Sequence, residues 1–210
     1  MKKENISDAV IRRLPRYYHY LNELHNREVI RISSSSLGKR MNVTASQIRQ
    51  DLNCFGEFGQ QGYGYNIAEL RSEVGHILGI DKSYKLILIG VGHLGHALLQ
   101  NFDFQQAGFT VSAAFDVSPA VVGMVINGVE VLPMEQLAEH IALYQPAVAT
   151  LTVPRPVAQQ TADTLMQLGV RGIWNFTNVE LAPLPDCDVS FENVHFAESL
   201  LTLSYRISTP

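Results

Sequence analysis

Tyr84-Lys85-Leu86-Ile87-Leu88-Ile89-Gly90-Val91-Gly92-His93-Leu94-Gly95-His96-Ala97-Leu98-Leu99 decides the fold of most of this 210-residue chain. Lys85 to Ile89 reads as a buried strand, and Ala97-Leu98-Leu99 opens a helix directly after the glycines. A second apolar strand, Val111 to Phe115, ends on Asp116. A lone GxGxxG is a weak signal, but one placed between strand and helix, with an acid closing the next strand, is strong. Gly90 permits the tight turn, Gly92 lets backbone approach a pyrophosphate, and Gly95 lets helix and strand pack closely. The phosphates then meet the free N–H groups and positive dipole end of the helix, offered by Val91, Gly92, His93 and Leu94. Asp116 follows Gly90 by 26 residues, near the usual spacing of ~20. A carboxylate there accepts ribose hydroxyls and repels a 2′-phosphate, which predicts NAD rather than NADP. The competing reading is a glycine-rich turn with no ligand.

Beyond Asp116, apolar runs at Ala147–Val153 and Gly172–Phe176 read as further buried strands, with a helix over Ala158–Leu168 between them. Strand and helix alternating around one glycine fingerprint predict an α/β, Rossmann-type doubly wound parallel sheet. Such sheets bind ligands at the carboxyl ends of their strands. That makes Thr152, Val153, Pro154, Asn175 and Phe176 candidates for the nicotinamide side of a pocket, against the plainer reading of ordinary strand-end turns. His195 to Ile207 reads as a last helix with Phe196, Leu200, Leu203 and Ile207 on one face. A face this apolar must be buried somewhere, on its own sheet or on another subunit; periodicity does not choose between them.

The fingerprint begins about 90 residues in, so a separate unit precedes it. A helix is expected from Asp8 to Asn26, with Val10, Leu14, Tyr17, Leu21 and Leu24 on one face. Ile30-Arg31-Ile32 can pair as a short strand. Ser33 to Ser36 offer N-caps for a helix over Leu37–Met41, and Thr44 caps another over Ala45–Phe55. Two short helices across the Asn42-Val43 turn resemble a helix-turn-helix, whose second helix enters the DNA major groove. In that helix Ala45, Ile48 and Leu52 face inward, while Ser46, Gln47, Arg49 and Gln50 carry groups that bond base edges or phosphates. Gly56 to Tyr65, glycine-rich and aromatic, suits a β-hairpin wing. Candidate DNA contacts are therefore Lys39, Thr44, Ser46, Gln47, Arg49, Gln50, Gln60 and Tyr63. The alternative is a polar surface helix and a loop. Ala68 to Ile80 reads as a linking helix.

Charge supports the division. Residues 1–80 hold 11 Lys/Arg against 8 Asp/Glu, and residues 81–210 hold 5 against 12. A basic head on an acidic body points the head toward a polyanion. No run of 18 apolar residues is present for a membrane span, and the N-terminus lacks a signal-peptide core. Two cysteines are too few for a disulfide framework, so the expected compartment is cytoplasmic. The seven histidines show no metal spacing, and neither GxSxG nor HExxH occurs, so no catalytic apparatus is expected.

Taken in order, Ser46-Gln47-Ile48-Arg49-Gln50-Asp51-Leu52, Phe55-Gly56, Gly62-Tyr63-Gly64-Tyr65, Gly90 to Gly95, Phe115-Asp116, Leu151-Thr152-Val153-Pro154 and Glu192-Asn193-Val194 resemble the Rex family of redox-sensing transcriptional repressors. The resemblance covers nearly the whole chain. It implies a winged helix-turn-helix DNA-binding domain at 1–80, a Rossmann NAD(H)-binding domain at 81–190 and a dimerisation helix at 191–210 exchanged between subunits. It further implies a homodimer that binds an inverted-repeat operator when NADH is scarce and releases it when NADH binds. Phe196 matches a residue that the family places near the partner's nicotinamide. This chain departs from some members in carrying His19, His195 and Phe102 in place of Arg, Asp and Tyr, and Gln50 where many relatives have Lys. The runner-up is a small NAD-dependent oxidoreductase with an N-terminal oligomerisation extension.

Overall fold

The computed structural model describes residues 6–56, 58 and 63–208. The chain divides into two compact units, Met1–Asp81 and Lys82–Pro210. Among the described residues, no helix is long and apolar enough to cross a membrane.

The first unit begins with two helices, α1 (Asp8–Ile11) and α2 (Leu14–Asn26), where the pattern predicts one. Pro15 explains the break: it has no N–H to donate and its ring clashes with the carbonyl of the preceding turn, so it is tolerated only in a first turn, where it sits in α2. Strand β1 (Arg31–Ile32) leads into α3 (Ser34–Met41), α4 (Ala45–Asn53), β2 (Tyr65–Asn66) and α5 (Ile67–Leu78). The caps fall where the hydroxyls predict them: Ser33 accepts from the Ser36 N–H, and Thr44 from the Gln47 N–H. Asn42, left-handed at φ 56°, turns the chain between α3 and α4. That turn packs so closely on α3 that a Cβ on Gly38 would lie 2.5 Å from the Val43 carbonyl oxygen. Leu14, Tyr17, Leu21, Leu37, Met41, Ile48, Leu52 and Ile67 close one core. β1 and β2 pair antiparallel. The tip of the expected wing, including Gln60 and Gly62, lies outside the described residues.

The second unit runs β3 (Tyr84–Ile89), α6 (His93–Asn101), β4 (Phe109–Asp116), β5 (Val125–Ile126), β6 (Val129–Pro133), α7 (Leu137–Tyr144), β7 (Val148–Leu151), α8 (Arg155–Gln167), β8 (Gly172–Asn175), β9 (Ser190–Asn193) and α9 (Phe196–Ser208). The sheet order is β5-β6-β4-β3-β7-β8-β9, parallel except for β5. Side chains alternate across it, as strand geometry requires. Ile87, Ile89, Phe115, Ala149 and Leu151 pack under α7 and α8, while Leu88 and Ala114 pack under α6 through Leu99. On the α6 side, Leu86, Phe102, Phe104, Val148 and Trp174 line an apolar groove of about 370 Å³. α9 buries none of its residues: Phe196 is 59% exposed and Leu200 67%. The short strands β5, β6 and β9 and helix α7 carry no strong periodicity, and only the fold reveals them.

Candidate functional site

The glycine fingerprint lies where β3 gives way to α6. Gly90 has φ +95°, a left-handed conformation that a Cβ disfavours, and such a Cβ would come within 2.9 Å of the Thr152 backbone. A Cβ on Gly95 would collide with the Gly90 carbonyl oxygen, so here the third glycine holds helix against loop. Gly92 differs from both. Nothing lies within 4 Å of its missing side chain, and it sits at the N-cap of α6 with no side chain capping the helix. The first-turn N–H groups of a helix lack intrahelical partners; together with the helix dipole they make an anion site. The open space at Gly92 and the uncapped first turn fit a pyrophosphate. His93 and His96 are exposed beside it, and Leu94 is half-buried.

Asp116 is already engaged. Its carboxylate accepts from the Val91 N–H at 2.6 Å and the Ser118 N–H at 2.8 Å. The acid therefore ties the fingerprint loop to the end of β4, and lone pairs remain to accept ribose hydroxyls, since a carboxylate offers about four acceptor positions. One loop amide, the Val91 N–H, is thus bound to Asp116.

The strand-end residues divide by role. Thr152 donates its hydroxyl to the Gly90 carbonyl at 2.6 Å, with the Ile89 carbonyl at 3.0 Å; it braces the fingerprint loop from below. Val153 packs against that loop, and Pro154 precedes α8 as its N-cap. Asn175, 1% exposed, donates to the Val179 carbonyl and Asn193, and accepts from the N–H and hydroxyl of Thr177. All four of its amide positions are filled, so its side chain knots the turn after β8. Phe176 stacks edge-on to Trp174 at 4.5 Å and lies 6.2 Å from the Phe196 ring. An aromatic wall thus continues from β8 to the first residue of α9. At the base of α9, His195 meets Glu180 at 3.2 Å and Asn178 at 3.1 Å.

In the first unit, Thr44, Ser46, Arg49, Gln50 and Lys39 are exposed on α3 and α4, and Tyr63 is 71% exposed just before β2. Arg49 reaches back to the Ser34 hydroxyl at 3.0 Å. Gln47 turns inward instead and donates to Asp51 at 2.7 Å. The expectation that it projects outward with Ser46 and Gln50 is corrected, because a buried acid on the next turn of α4 outcompetes solvent for its amide. Asp51, 1% exposed, also receives Arg13 through two bonds, 2.6 and 2.8 Å, and Tyr17 at 2.6 Å. Burial pushes its carboxyl upward, but the bonds from Arg13, Tyr17 and Gln47 and the Arg13 charge prevail and hold it below the usual carboxylate range. Burial and the bond to Asp51 push the Tyr17 phenol well above its ordinary value. The outward reading of α4 missed this network. The available signal was Asp51 itself, three residues after Ile48 on the inward face.

A capped helix-turn-helix in one unit and a fingerprint-bearing parallel sheet in the other define a regulator class, a DNA-reading head joined to a dinucleotide fold. Residues 81–179 match the family described as "CoA binding domain", and residues 5–53 match "Putative DNA-binding protein N-terminus". The chain is 49% identical over 207 residues to the redox-sensing transcriptional repressor Rex of Thermoanaerobacter pseudethanolicus, covering 99% of this chain and 92% of that one. It is 48% identical to Rex of Clostridium beijerinckii, covering 99% and 97%. Among solved structures it is similar to RSP in complex with beta-NAD+ and operator DNA, with TM-score 0.90 and 49% identity over 98% of this chain and 94% of that one. It is likewise similar to RSP, a Rex-family repressor, in complex with beta-NADH, with TM-score 0.88 and 46% identity over 98% and 95%. The chain belongs to the Rex family of redox-sensing transcriptional repressors. Rex proteins are repressors rather than enzymes, and the oxidoreductase reading is set aside.

Proposed function

We propose that the chain is a cytoplasmic homodimer that binds an inverted-repeat operator and is released from it by NADH. The observation carrying this reading is the pairing, in one chain, of an open anion site at Gly92 with an exposed face on α4, in a protein 49% identical to one solved with both NAD+ and operator DNA. Residues 1–80 serve as the DNA-binding domain, 81–190 as the nucleotide domain and 191–210 as the dimerisation helix. The backbone from Gly90 to Gly95 cradles the pyrophosphate, and Asp116 accepts the ribose hydroxyls. Thr152 and Asn175 shape the pocket from behind. Phe176 and the partner subunit's Phe196 form its apolar wall, which favours the uncharged reduced ring over the cationic oxidised one. Lys39, Thr44, Ser46, Arg49, Gln50, Gln60 and Tyr63 meet DNA, those on α4 in the major groove.

α9 supports the dimer. Its exposed Phe196, Leu200, Leu201 and Leu203 form a contiguous apolar surface of the kind that marks an interface. A two-fold dimer presents two copies of α4, so the operator is an inverted repeat. Nucleotide and DNA occupy different units, so the effect of one on the other is a coupling free energy and must be reciprocal. If NADH weakens operator binding a hundredfold, operator weakens NADH a hundredfold, about 2.7 kcal/mol. The test is operator affinity at fixed salt without cofactor, with saturating NAD and with saturating NADH. A fall with NADH alone is expected; an affinity unmoved by NADH would overturn the reading.

A further inference from the structure

α2 carries a polar stripe at helical spacing, with Arg13 at its N-cap followed by Arg16, Tyr17 and Tyr20. Each of these residues grips one of the two helices of the helix-turn-helix. Arg13 and Tyr17 bind Asp51 on α4. Arg16 donates to the Met41 carbonyl at 3.1 Å, and Tyr20 to the Arg40 carbonyl at 3.1 Å, both in the last turn of α3. Gln47 completes the arrangement from α4 itself. Four bonds fill the acceptor positions of Asp51, which is 1% exposed.

We propose that Arg13, Tyr17, Gln47 and Asp51 are positioning residues that fix the roll of α4, so that Gln47 holds the recognition helix and Ser46, Arg49 and Gln50 read the DNA. Apolar packing alone would not do this. Ile48 and Leu52 are smooth side chains on a helix of nine residues, and non-directional burial leaves small rotations about the helix axis cheap. A two-pronged guanidinium–carboxylate bond is directional. It attaches α4 at Asp51, one residue after Gln50 and four after Gln47. A small rotation of α4 would displace exposed side chains at the groove floor while leaving the charge on the surface unchanged. The network therefore acts on sequence discrimination more than on attraction to the phosphates.

This proposal rests on the DNA-binding reading, and its test separates the two. A palindromic duplex selected from a random library by the unaltered full-length protein is compared with a scrambled duplex of equal length. Asp51→Asn, and Tyr17→Phe as the milder variant that keeps the ring, should each lower affinity for the selected duplex at least tenfold. Affinity for the scrambled one should change less than twofold, and the salt dependence, which counts phosphate contacts, should be preserved. A merely structural role would depress both affinities together. Repeating the selection with Gln47→Ala should relax preference across every position read by α4, and Asp51→Asn combined with Gln47→Ala should be less than additive. Relaxation at a single base pair would make Gln47 a direct reader and overturn the proposal, as would equal losses on the two duplexes. Failure of the unaltered protein to prefer any duplex would instead overturn the DNA reading. In the free protein, the side-chain amide protons of Gln47 should shift in the NMR spectrum of Asp51→Asn; an unmoved signal counts against the network without reference to DNA.

Discussion

Replacing Asp116 tests the nucleotide site where sequence and structure meet. In Asp116→Ala, the Val91 and Ser118 N–H groups lose acceptors at 2.6 and 2.8 Å, and the ribose hydroxyls lose the charge that would receive them. A hydrogen bond to a charged group contributes roughly 1.5–3 kcal/mol. The site is half-buried and the freed amides can turn to water, so the loss for NADH should lie near the lower figure, about ten- to thirtyfold. NADPH responds oppositely. A 2′-phosphate about 5 Å from a carboxylate meets a repulsion of about 3 kcal/mol per unit charge at an effective dielectric constant of 20, which salt reduces. Removing Asp116 relieves that repulsion, so the preference for NADH over NADPH should contract by a hundredfold or more. Calorimetric titration of both nucleotides into both proteins measures the change directly. Thermal unfolding without nucleotide separates the lost loop bonds from the lost ligand contact. Equal affinities for NADH and NADPH in the unaltered protein, or a preference untouched by the substitution, would refute the assignment.

Removing residues 195–210 should yield monomers or aggregates with weak operator binding, because Phe196, Leu200 and Leu203 each contribute roughly 1.5–3 kcal/mol when buried against a partner; light scattering reads the outcome, and a stable, fully active dimer would contradict it. Gln50→Lys should shift the preferred base pair at one half-site position from A·T toward G·C, worth about 1–3 kcal/mol, as measured by binding selection. His140 lies between Ser112 and the Phe115 and Tyr144 rings, and burial and the Lys85 charge hold its pKa below the ordinary value. The unfolded chain then takes up a proton that the folded one refuses, so stability should fall as pH drops below about 6.5 and level off below the folded pKa. His140→Gln should flatten that fall in denaturant titrations at pH 5 to 7.5, and an unchanged slope would remove His140 as its source.

The fingerprint, the strand before it and the acid after it were legible because each glycine answers a local demand of the backbone. Gly90 needs a positive φ and Gly95 a close approach, and both demands follow from a tight strand-to-helix turn. The hydroxyl caps at Ser33 and Thr44 were legible for the same reason, since a cap bonds an N–H only three residues away. Apolar periodicity likewise placed α4 and its inward residues Ile48 and Leu52. What the sequence could not decide depends on partners far along the chain. Gln47 turns toward Asp51 because Arg13 and Tyr17, more than thirty residues earlier, gather around that acid. Thr152 braces Gly90 from 62 residues away, and Asn175 is spent on Thr177, Val179 and Asn193. Composition and spacing name the groups able to bond a ligand. Only the tertiary structure decides which of them the protein has already used, because a buried polar group must find its partner inside the fold before any ligand arrives.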